Sequence, residues 1–220
     1  RDCSGVGAPA QVLLNYSSSC GSASIYLNQI SGPIDINPTC TTYCNGGSAF
    51  GIEEYIYEGV ITLSPCSDWV LSACINARNG SINTIVNPGS EDLCVEATLN
   101  NSSSPNNSPT FTQYPTPFLC AGTNFCYNNG TIELEGDSLV YELVTPLGAY
   151  GPVTYISPYS PTNPVGGGSA FDVNNGNLCV TPPGTIIPFA CDSGKKRITF
   201  IGSIEFLPWL GIRYPITVNL

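Results

Sequence analysis

The chain has 220 residues, of which 16 are acidic and 6 basic, so its formal net charge is -10, and it contains no histidine. Without histidine the chain can build no Ser-His-Asp triad, no Cys-His dyad and no histidine metal site. A protein this acidic repels nucleic acid and anionic lipid, so we expect neither as a partner. The longest apolar stretch near the end, residues 198–210, is interrupted by Gly202, Glu205 and Pro208, so we expect no insertion into a membrane. The 23 glycines and 19 prolines give the turn density that is typical of an all-β protein.

The first half of the chain is a series of short β-prone runs separated by turn residues. The strongest run spans residues 52–63, where β-branched and aromatic side chains are interleaved with polar ones. No stretch keeps a helical period of 3.6 residues over three turns, so we expect little helix. Further strands are predicted at residues 11–16, 23–30, 68–75 and 92–99.

The composition changes between residues 100 and 117, which hold four prolines and no charged residue. Prolines exclude a central strand, so we interpret this stretch as a linker or as a long extended crossover. We therefore predict an all-β fold of two antiparallel β-sandwich domains in tandem, one at residues 1–110 and one at residues 111–220.

The second half repeats this strand pattern. Residues 138–144 carry apolar groups on both faces of a β-prone run, which predicts a central strand. The apolar runs 171–173 and 178–180 flank an Asn175-Gly176 pair, which is the best hairpin signal in the chain. We expect a type I′ turn there, with positive φ at both central residues.

The chain closes on two predicted strands, at residues 197–206 and 212–218, and Pro215 places part of the second at an edge or a bulge. The basic cluster Lys195–Arg197 before them is interpreted as a solvated hairpin tip. The chain opens at Arg1 without a visible signal peptide and stops directly after a strand. We therefore expect a mature product or an excised piece of a longer array.

Eleven cysteines in 220 residues are too many for ordinary packing, so they form either disulfides or metal thiolates. The chain has no repeated C-x2-C pair and no histidine, which favours disulfides and therefore an exported protein. The odd number leaves at least one thiol unpaired or paired outside the chain. The candidate disulfide cysteines are Cys3, Cys20, Cys40, Cys44, Cys66, Cys74, Cys120 and Cys126. Local pairs are the simplest choice, and they would be Cys120–Cys126, Cys66–Cys74, and Cys40 or Cys44 with Cys3 or Cys20.

Two further features are weighed as sites. Trp69 is either a platform for stacking a sugar or a core residue beside a Cys66 bridge, and the core interpretation is favoured. Glu53 and Glu54 are a carboxylate pair of the kind that glycosidases use, but neighbours in a strand point to opposite faces and cannot share a site. We therefore expect no enzymatic activity and name no catalytic residue.

A series of short motifs follows in a fixed order along the chain. It starts with a strand and Pro-Cys-x-Asp-Trp at residues 59–69 and continues through residues 74–79, 87–90, 95–101, 105–109, 117–120, 125–128, 136–141 and 154–160. Over about residues 50–185 this order resembles the repeated modules of the very long cell-surface proteins of gliding Bacteroidota. The resemblance implies polycystic-kidney-disease-like, immunoglobulin-like or cadherin-like β-sandwich domains and type IX secretion. It also implies an extracellular location on the cell surface, with neighbouring repeat domains as partners.

The segment Glu133-x-Glu135-Gly-Asp137 precedes a predicted strand and carries its carboxylates on alternate residues. Oxygen ligands at this spacing suit calcium. The segment is similar to the calcium element of cadherin-like domains, although Glu stands at positions 133 and 135 where that element has Asp. We take Glu133, Glu135 and Asp137 as a candidate calcium site, with calcium as the one candidate cofactor and a solvated acidic turn as the alternative.

Two functions from different classes fit this chain. The favoured one is a structural and adhesive segment of a secreted surface adhesin or filament, linked to gliding motility or to surface attachment. The other is a stand-alone extracellular module that binds surface glycans, which needs exposed aromatic side chains on a concave face. Most aromatic residues, including Tyr55, Tyr57, Trp69 and Tyr141, fall inside predicted strands, where packing into a core is the default.

Overall fold

The computed structural model describes residues 8–36, 53–80, 82–103, 107–113, 124–128, 130–164, 166, 169–172 and 174–181. These ranges hold β-strands and one 3-10 helix at Pro88–Ser90 but no α-helix, so the all-β prediction is confirmed. None of the helical structure in them is long and apolar enough to cross a membrane. The strands predicted at residues 197–206 and 212–218, and the basic cluster Lys195–Arg197, lie outside the described residues.

The described residues contain twelve strands in three antiparallel sheets. They are β1 (Gln11–Ser18), β2 (Gly21–Asp35), β3 (Glu53–Glu58), β4 (Trp69–Ile75), β5 (Leu93–Leu99), β6 (Thr110–Phe111), β7 (Phe125–Tyr127), β8 (Thr131–Ile132), β9 (Leu147–Gly148), β10 (Gly151–Pro152), β11 (Ser169–Asp172) and β12 (Asn177–Val180). The main sheet has the order β10-β9-β5-β4-β1-β2-β3, a smaller sheet has the order β11-β12-β7, and β6 pairs with β8. Each of the five strands predicted in the first half has a counterpart among β1 to β5, although β3 covers only the first part of the run at residues 52–63.

The inner face of the main sheet holds the largest buried cluster. Residues of β1 alternate between exposed and buried, which places Val12 and Leu14 on the inner face. Leu14 lies opposite Ala73 of β4, and Leu71, one alternation away on the same face, is almost fully buried. Each such side chain contributes about 1.5–3 kcal/mol when it leaves water. The alternating pattern of the sequence therefore positions the core.

A segment that is not a strand covers this inner face. The strand predicted at residues 52–63 is wrong in its second half, because β3 ends just before Gly59 and the chain then passes over the sheet. A Cβ atom at Gly59 would lie 2.7 Å from Leu27 Cδ2, so a larger residue here would have to displace the Leu27 side chain. Beyond it, Ile61 and Leu63 are buried in the core cluster. The second half of the predicted strand is thus the cover of the sheet.

Contacts cross the predicted domain boundary at residue 110. β9 pairs with β5 through Leu147 and Cys94, and an isolated bridge joins Ile85 to Tyr155. Val153 is buried against Ile85 in a separate cluster. Two short strands from the second half therefore extend the main sheet. The division into two tandem sandwich domains stays a prediction.

The hairpin predicted near the end of the described chain is confirmed, but its turn differs. β11 pairs with β12, and the Asp172–Asn177 pair closes a four-residue loop. The Asp172 carboxylate accepts the backbone N–H of Asn174 at 2.9 Å and the side-chain amide of Asn175 at 2.7 Å. Because these bonds hold the loop, Gly176 is its one described residue with positive φ, at +66°. A type I′ turn would need two such residues.

The prediction of a central strand at residues 138–144 is wrong. These residues belong to no strand, and Leu143 packs on the buried cluster of the three-stranded sheet. A Cβ atom at Gly176 would lie 2.6 Å from Tyr141 Cδ1, so the Tyr141 ring rests on the β11–β12 hairpin. Val140, on the other side of the segment, is 88% exposed. The segment therefore covers the small sheet on one side and faces solvent on the other.

Candidate functional site

Three disulfides among the described residues fasten the sheets. The pairs are Cys20–Cys66, Cys74–Cys94 and Cys126–Cys179. The first joins the β1–β2 turn to the segment before β4, with Cα atoms 6.2 Å apart. The other two join β4 to β5 and β7 to β12, each between residues directly opposite in the ladder. Disulfides in this number indicate a protein that folds in an oxidising compartment.

The expected pair Cys66–Cys74 is wrong for a geometric reason. The two residues follow one another along the chain into β4, and the strand from Trp69 to Cys74 alone spans about 16 Å. A disulfide bridges Cα atoms only about 4.4–6.8 Å apart. Residues that are close in sequence are thus held apart by the strand that joins them, and each cysteine bonds to a neighbouring chain segment.

Cys20 and Cys126 also have distant partners, Cys66 and Cys179, instead of the cysteines that we expected. Sequence reasoning missed Cys179 and Cys94 as partners, although both lie in runs that it predicted to be strands. The order of strands in the sheet determines which cysteines form disulfides with each other. The spacing of cysteines along the sequence does not reveal that order. The candidates Cys3, Cys40, Cys44 and Cys120 lie outside the described residues, as does Cys191.

The Cys20–Cys66 bridge lies in a hydrogen-bond network around Asp68. The Asp68 carboxylate accepts the backbone N–H of Ser19 at 3.1 Å and its hydroxyl at 3.0 Å. The backbone N–H of Cys66 donates to Asn101 Oδ1 at 2.7 Å. The two sulfur atoms and the carboxylate are close enough to surround a metal ion. Because the disulfide leaves neither sulfur as a thiolate, this network fastens the turn and offers no metal site.

Trp69 is a core residue, as predicted. Its side chain is 4% exposed, and its indole N–H donates to the Ser64 carbonyl at 3.0 Å. Its ring lies 5.9 Å from that of Tyr16, and Cys66 belongs to the same buried cluster. No face of this ring is available for stacking a sugar.

Glu133, Glu135 and Asp137 are brought together directly after β8. One oxygen of each carboxylate lies within 4.8 Å of the others. The Glu133 carboxylate accepts the backbone N–H of Glu135 at 2.9 Å and that of Asp137 at 2.7 Å. Gly136, with φ of +85°, permits this tight turn. Asn107 holds Glu135 in place, since its backbone N–H and side-chain amide donate to that carboxylate at 2.7 and 2.9 Å.

The electrostatics of this turn favour the ionised form of Glu133. The backbone N–H of Glu135, followed by those of its neighbours, holds the pKa of Glu133 below its usual value. Three carboxylates offer up to six oxygen atoms, and calcium takes about six to eight ligands. The turn therefore fits part of a calcium shell, with solvent on its open side. The hydrogen bonds of Glu133 are sufficient to explain why the turn forms without an ion, so the calcium site stays a prediction.

The outer face of the β1–β2 hairpin carries a feature that sequence reasoning missed. Four cross-strand pairs lie along it, Gln11–Asn28, Leu13–Tyr26, Asn15–Ser24 and Ser17–Ser22. Tyr26 is 60% exposed and Leu13 is 38% exposed, so an apolar pair lies among polar ones. The available signal was the alternation in β2, because Ile25 and Leu27 point inward and therefore place Tyr26 outward.

Charge is distributed very unevenly over the described residues. Thirteen of the sixteen acidic residues lie in these ranges but only one of the six basic residues, Arg78, which leaves a formal charge of -12. Arg78 is buried, where its Nε donates to the Asp92 carbonyl at 3.0 Å and its Nη2 to that of Leu147 at 2.7 Å. The solvated part of the described surface is thus anionic or neutral throughout.

Comparison of the chain with family models, with curated proteins and with solved structures finds no match. The resemblance to the surface modules of gliding Bacteroidota therefore rests on the motifs quoted above and stays a prediction.

Proposed function

We propose that this chain is a structural and adhesive segment of a secreted cell-surface protein, of the kind that gliding Bacteroidota display. The observation that supports it most is the set of three disulfides that join neighbouring parts of the sheets. Such bonds suit a protein that works outside the cell, because disulfides persist in that oxidising environment. They also limit the local opening that would expose the chain to extracellular proteases. Type IX secretion, gliding motility and neighbouring repeat domains as partners belong to the same proposal.

The disulfides also limit how far the chain can be pulled. They close loops with sequence separations of 46, 20 and 53 residues. A force applied to the two ends cannot extend the residues inside these loops, even after the sheets have opened. This limit suits a module in a load-bearing filament. The residues inside the closed loops stay close together under load, so the module can refold when the load falls.

Pulling the full chain between two handles in a force spectrometer tests this proposal. Under oxidising conditions, unfolding should stop short of the full chain length. In a reducing buffer the extension should grow by roughly 160, 70 and 180 Å, about 3.4 Å for each residue that is released. Equal extensions in both buffers would show that the disulfides carry no load and would contradict the mechanical role.

The native assembly provides the second test. Imaging of surface material from cells that produce the parent protein should show extended filaments or arrays with a regular repeat. An isolated monomer with tight glycan binding would instead favour the stand-alone glycan-binding module. One observation speaks for that second candidate, namely the exposed Tyr26 on a polar sheet face.

Calcium binding by Glu133, Glu135 and Asp137 is part of the same proposal. A bound ion stabilises the folded state by mass action, so the melting temperature should be higher in millimolar calcium than in chelator. Glu135→Gln should remove the difference, whereas Glu142→Gln, at an exposed position outside the turn, should keep it. Equal melting curves of the wild-type protein in both buffers would exclude this site.

A further inference from the structure

The outer face of the β1–β2 hairpin is an ordered row of neutral polar groups with an apolar centre. In its register, Leu13–Tyr26 has Gln11–Asn28 on one side and Asn15–Ser24 on the other. Successive pairs on one face lie about 7 Å apart, so the four pairs form a track of roughly 20 Å. Strands of eight and fifteen residues in a seven-stranded sheet hold this track rigid.

The polar pair next to Tyr26 is already organised for hydrogen bonding. Gln11 Nε2 donates to Asn28 Oδ1 at 2.8 Å, which fixes both amides on the exposed face. The pair still offers Gln11 Oε1 as an acceptor and the Asn28 side-chain NH2 as a donor. An adjacent acceptor and donor match neighbouring hydroxyl groups, each of which both donates and accepts. Tyr26 beside them provides a ring on which the apolar face of a sugar can lie.

The charge of this face and of the surface around it limits which class of ligand can bind there. The four pairs include no ionisable side chain other than the Tyr26 phenol, and the charged residue directly beside them is the exposed Glu58 of β3, opposite Asn28. The described residues taken together have a formal charge of -12, and their one cation, Arg78, is buried. Polysaccharides that carry carboxylates or sulfates are repelled by such a surface. Neutral sugars are not, and they bind proteins through the aromatic rings and amides that this face contains.

We propose that this face, formed by Gln11, Leu13, Asn15, Ser24, Tyr26 and Asn28, binds neutral polysaccharide chains along the direction of the strands. The inference rests on the adhesive role proposed above and gives that role a surface and a ligand class. A track about 20 Å long contacts several sugar units at once, so affinity should rise with the length of the oligosaccharide.

Retention of the full chain on insoluble neutral polysaccharides, cellulose and chitin, tests this inference, with alginate beads as the anionic comparison. Wild-type protein should bind at least one neutral polymer and not alginate, and binding should change little with salt. Tyr26→Ala should weaken binding about tenfold, and Tyr26→Phe should retain it, because the ring supplies the contact. Tyr150→Ala is the matched control, since Tyr150 is fully exposed at the distant β9–β10 turn.

Three outcomes would overturn the inference: no retention on either neutral polymer, stronger retention on alginate, or equal loss for Tyr26→Ala and Tyr150→Ala. Circular dichroism and melting curves of the variants show whether each is folded, and Gln11→Ala is a second variant that leaves the ring in place. The force measurement above does not depend on sugar binding. A chain that resists extension but binds no polysaccharide would contradict this inference and leave the structural role intact.

Discussion

The main sheet and the three-stranded sheet follow one plan but hold cores of different size. In each, a segment that is not a strand covers the buried face, residues 59–65 in the first and residues 138–144 in the second. The main sheet buries six residues in one cluster, including Leu14, Leu71 and Trp69. The buried residues of the small sheet are Tyr127, Leu178 and Val180.

The difference shows how a small β unit is stabilised. Long strands with regular alternation let the main sheet gain most of its stability from burial. Three strands of three or four residues cannot bury enough apolar area, so covalent and polar fastening has to supply more. The Cys126–Cys179 bond and the Asp172 hydrogen bonds are the fastening elements of the small sheet.

Cavities made in the two cores should give the largest effects. Trp69→Ala should lower the free energy of unfolding by about 4 kcal/mol and Leu178→Ala by about 3 kcal/mol, because each empties a buried site. Chemical denaturation followed by circular dichroism measures both values.

A surface variant and a double variant serve as controls for the two core substitutions. Tyr150→Ala should change the free energy of unfolding by less than about 0.5 kcal/mol. The double variant of Trp69 and Leu178 should show additive losses, since the residues belong to separate clusters. An interaction energy between the two substitutions larger than about 1 kcal/mol would show that the two clusters form a single core.

Removing disulfides should have effects of similar size. The closed loop behind Cys126–Cys179 is longer than that behind Cys74–Cys94, so replacing both cysteines of a pair by Ala should cost about 4 kcal/mol in the first case and about 3 kcal/mol in the second. Melting curves of the two variants test the order. If the Cys74–Cys94 variant loses more, the main sheet depends on its disulfide and the contrast between the sheets fails.

Much of the main sheet could be predicted from the sequence because its strands are long. Alternation over 11–16 and 92–99 identifies a strand with one buried face, whatever its neighbours are. The Asn175-Gly176 pair located a hairpin for the same local reason. Residues 138–144 misled the prediction, because a segment that covers a sheet needs the same alternating apolar side chains as a strand within it.

The unpredicted features depend on contacts between distant segments. β9 and β10 have two residues each, too few for a periodic signal, yet they extend the main sheet. Disulfide partners follow strand order, which the spacing of cysteines does not encode. The carboxylates at Glu133, Glu135 and Asp137 were identified because a single turn brings them together. Alternation in β2 places Tyr26 outward, but its cross-strand neighbours on that face needed the register of β1 and β2.

Arg78 connects the two halves of the chain and should give an intermediate effect. Arg78→Met keeps an apolar side chain of similar length but leaves the partly buried carbonyls of Asp92 and Leu147 without this donor, a loss of about 2 kcal/mol. Amide exchange in β9 and β10 should become faster than in β1 and β2. Uniform exchange throughout the main sheet would show that Arg78 supports the whole sheet and not its junction with β9.

Alkaline pH should weaken the small sheet specifically. Burial raises the pKa of Tyr127 to about 12, above the value near 10 of an unfolded tyrosine. The folded state therefore disfavours the ionised ring, and the stability that Tyr127 contributes is complete below pH 10 and lost as the pH rises toward 12. Short-term denaturation at several pH values measures this loss. Tyr127→Phe should remove most of the dependence, and an unchanged profile would contradict the assignment.

Acid should produce the smallest effect in the small sheet, at its hairpin loop. The Asn175 amide and the Asn174 N–H lower the pKa of Asp172 below that of an unfolded aspartate. A depressed folded pKa contributes stability above about pH 4 that is lost as the pH falls through the folded value. Amide exchange at Asn174 and Gly176 should therefore show more local opening in acid, relative to intrinsic rates. Asp172→Asn keeps an oxygen acceptor but cannot titrate, so its loop should open to the same extent at all acidic pH values. Equal pH dependence in both proteins would show that another carboxylate controls the loop.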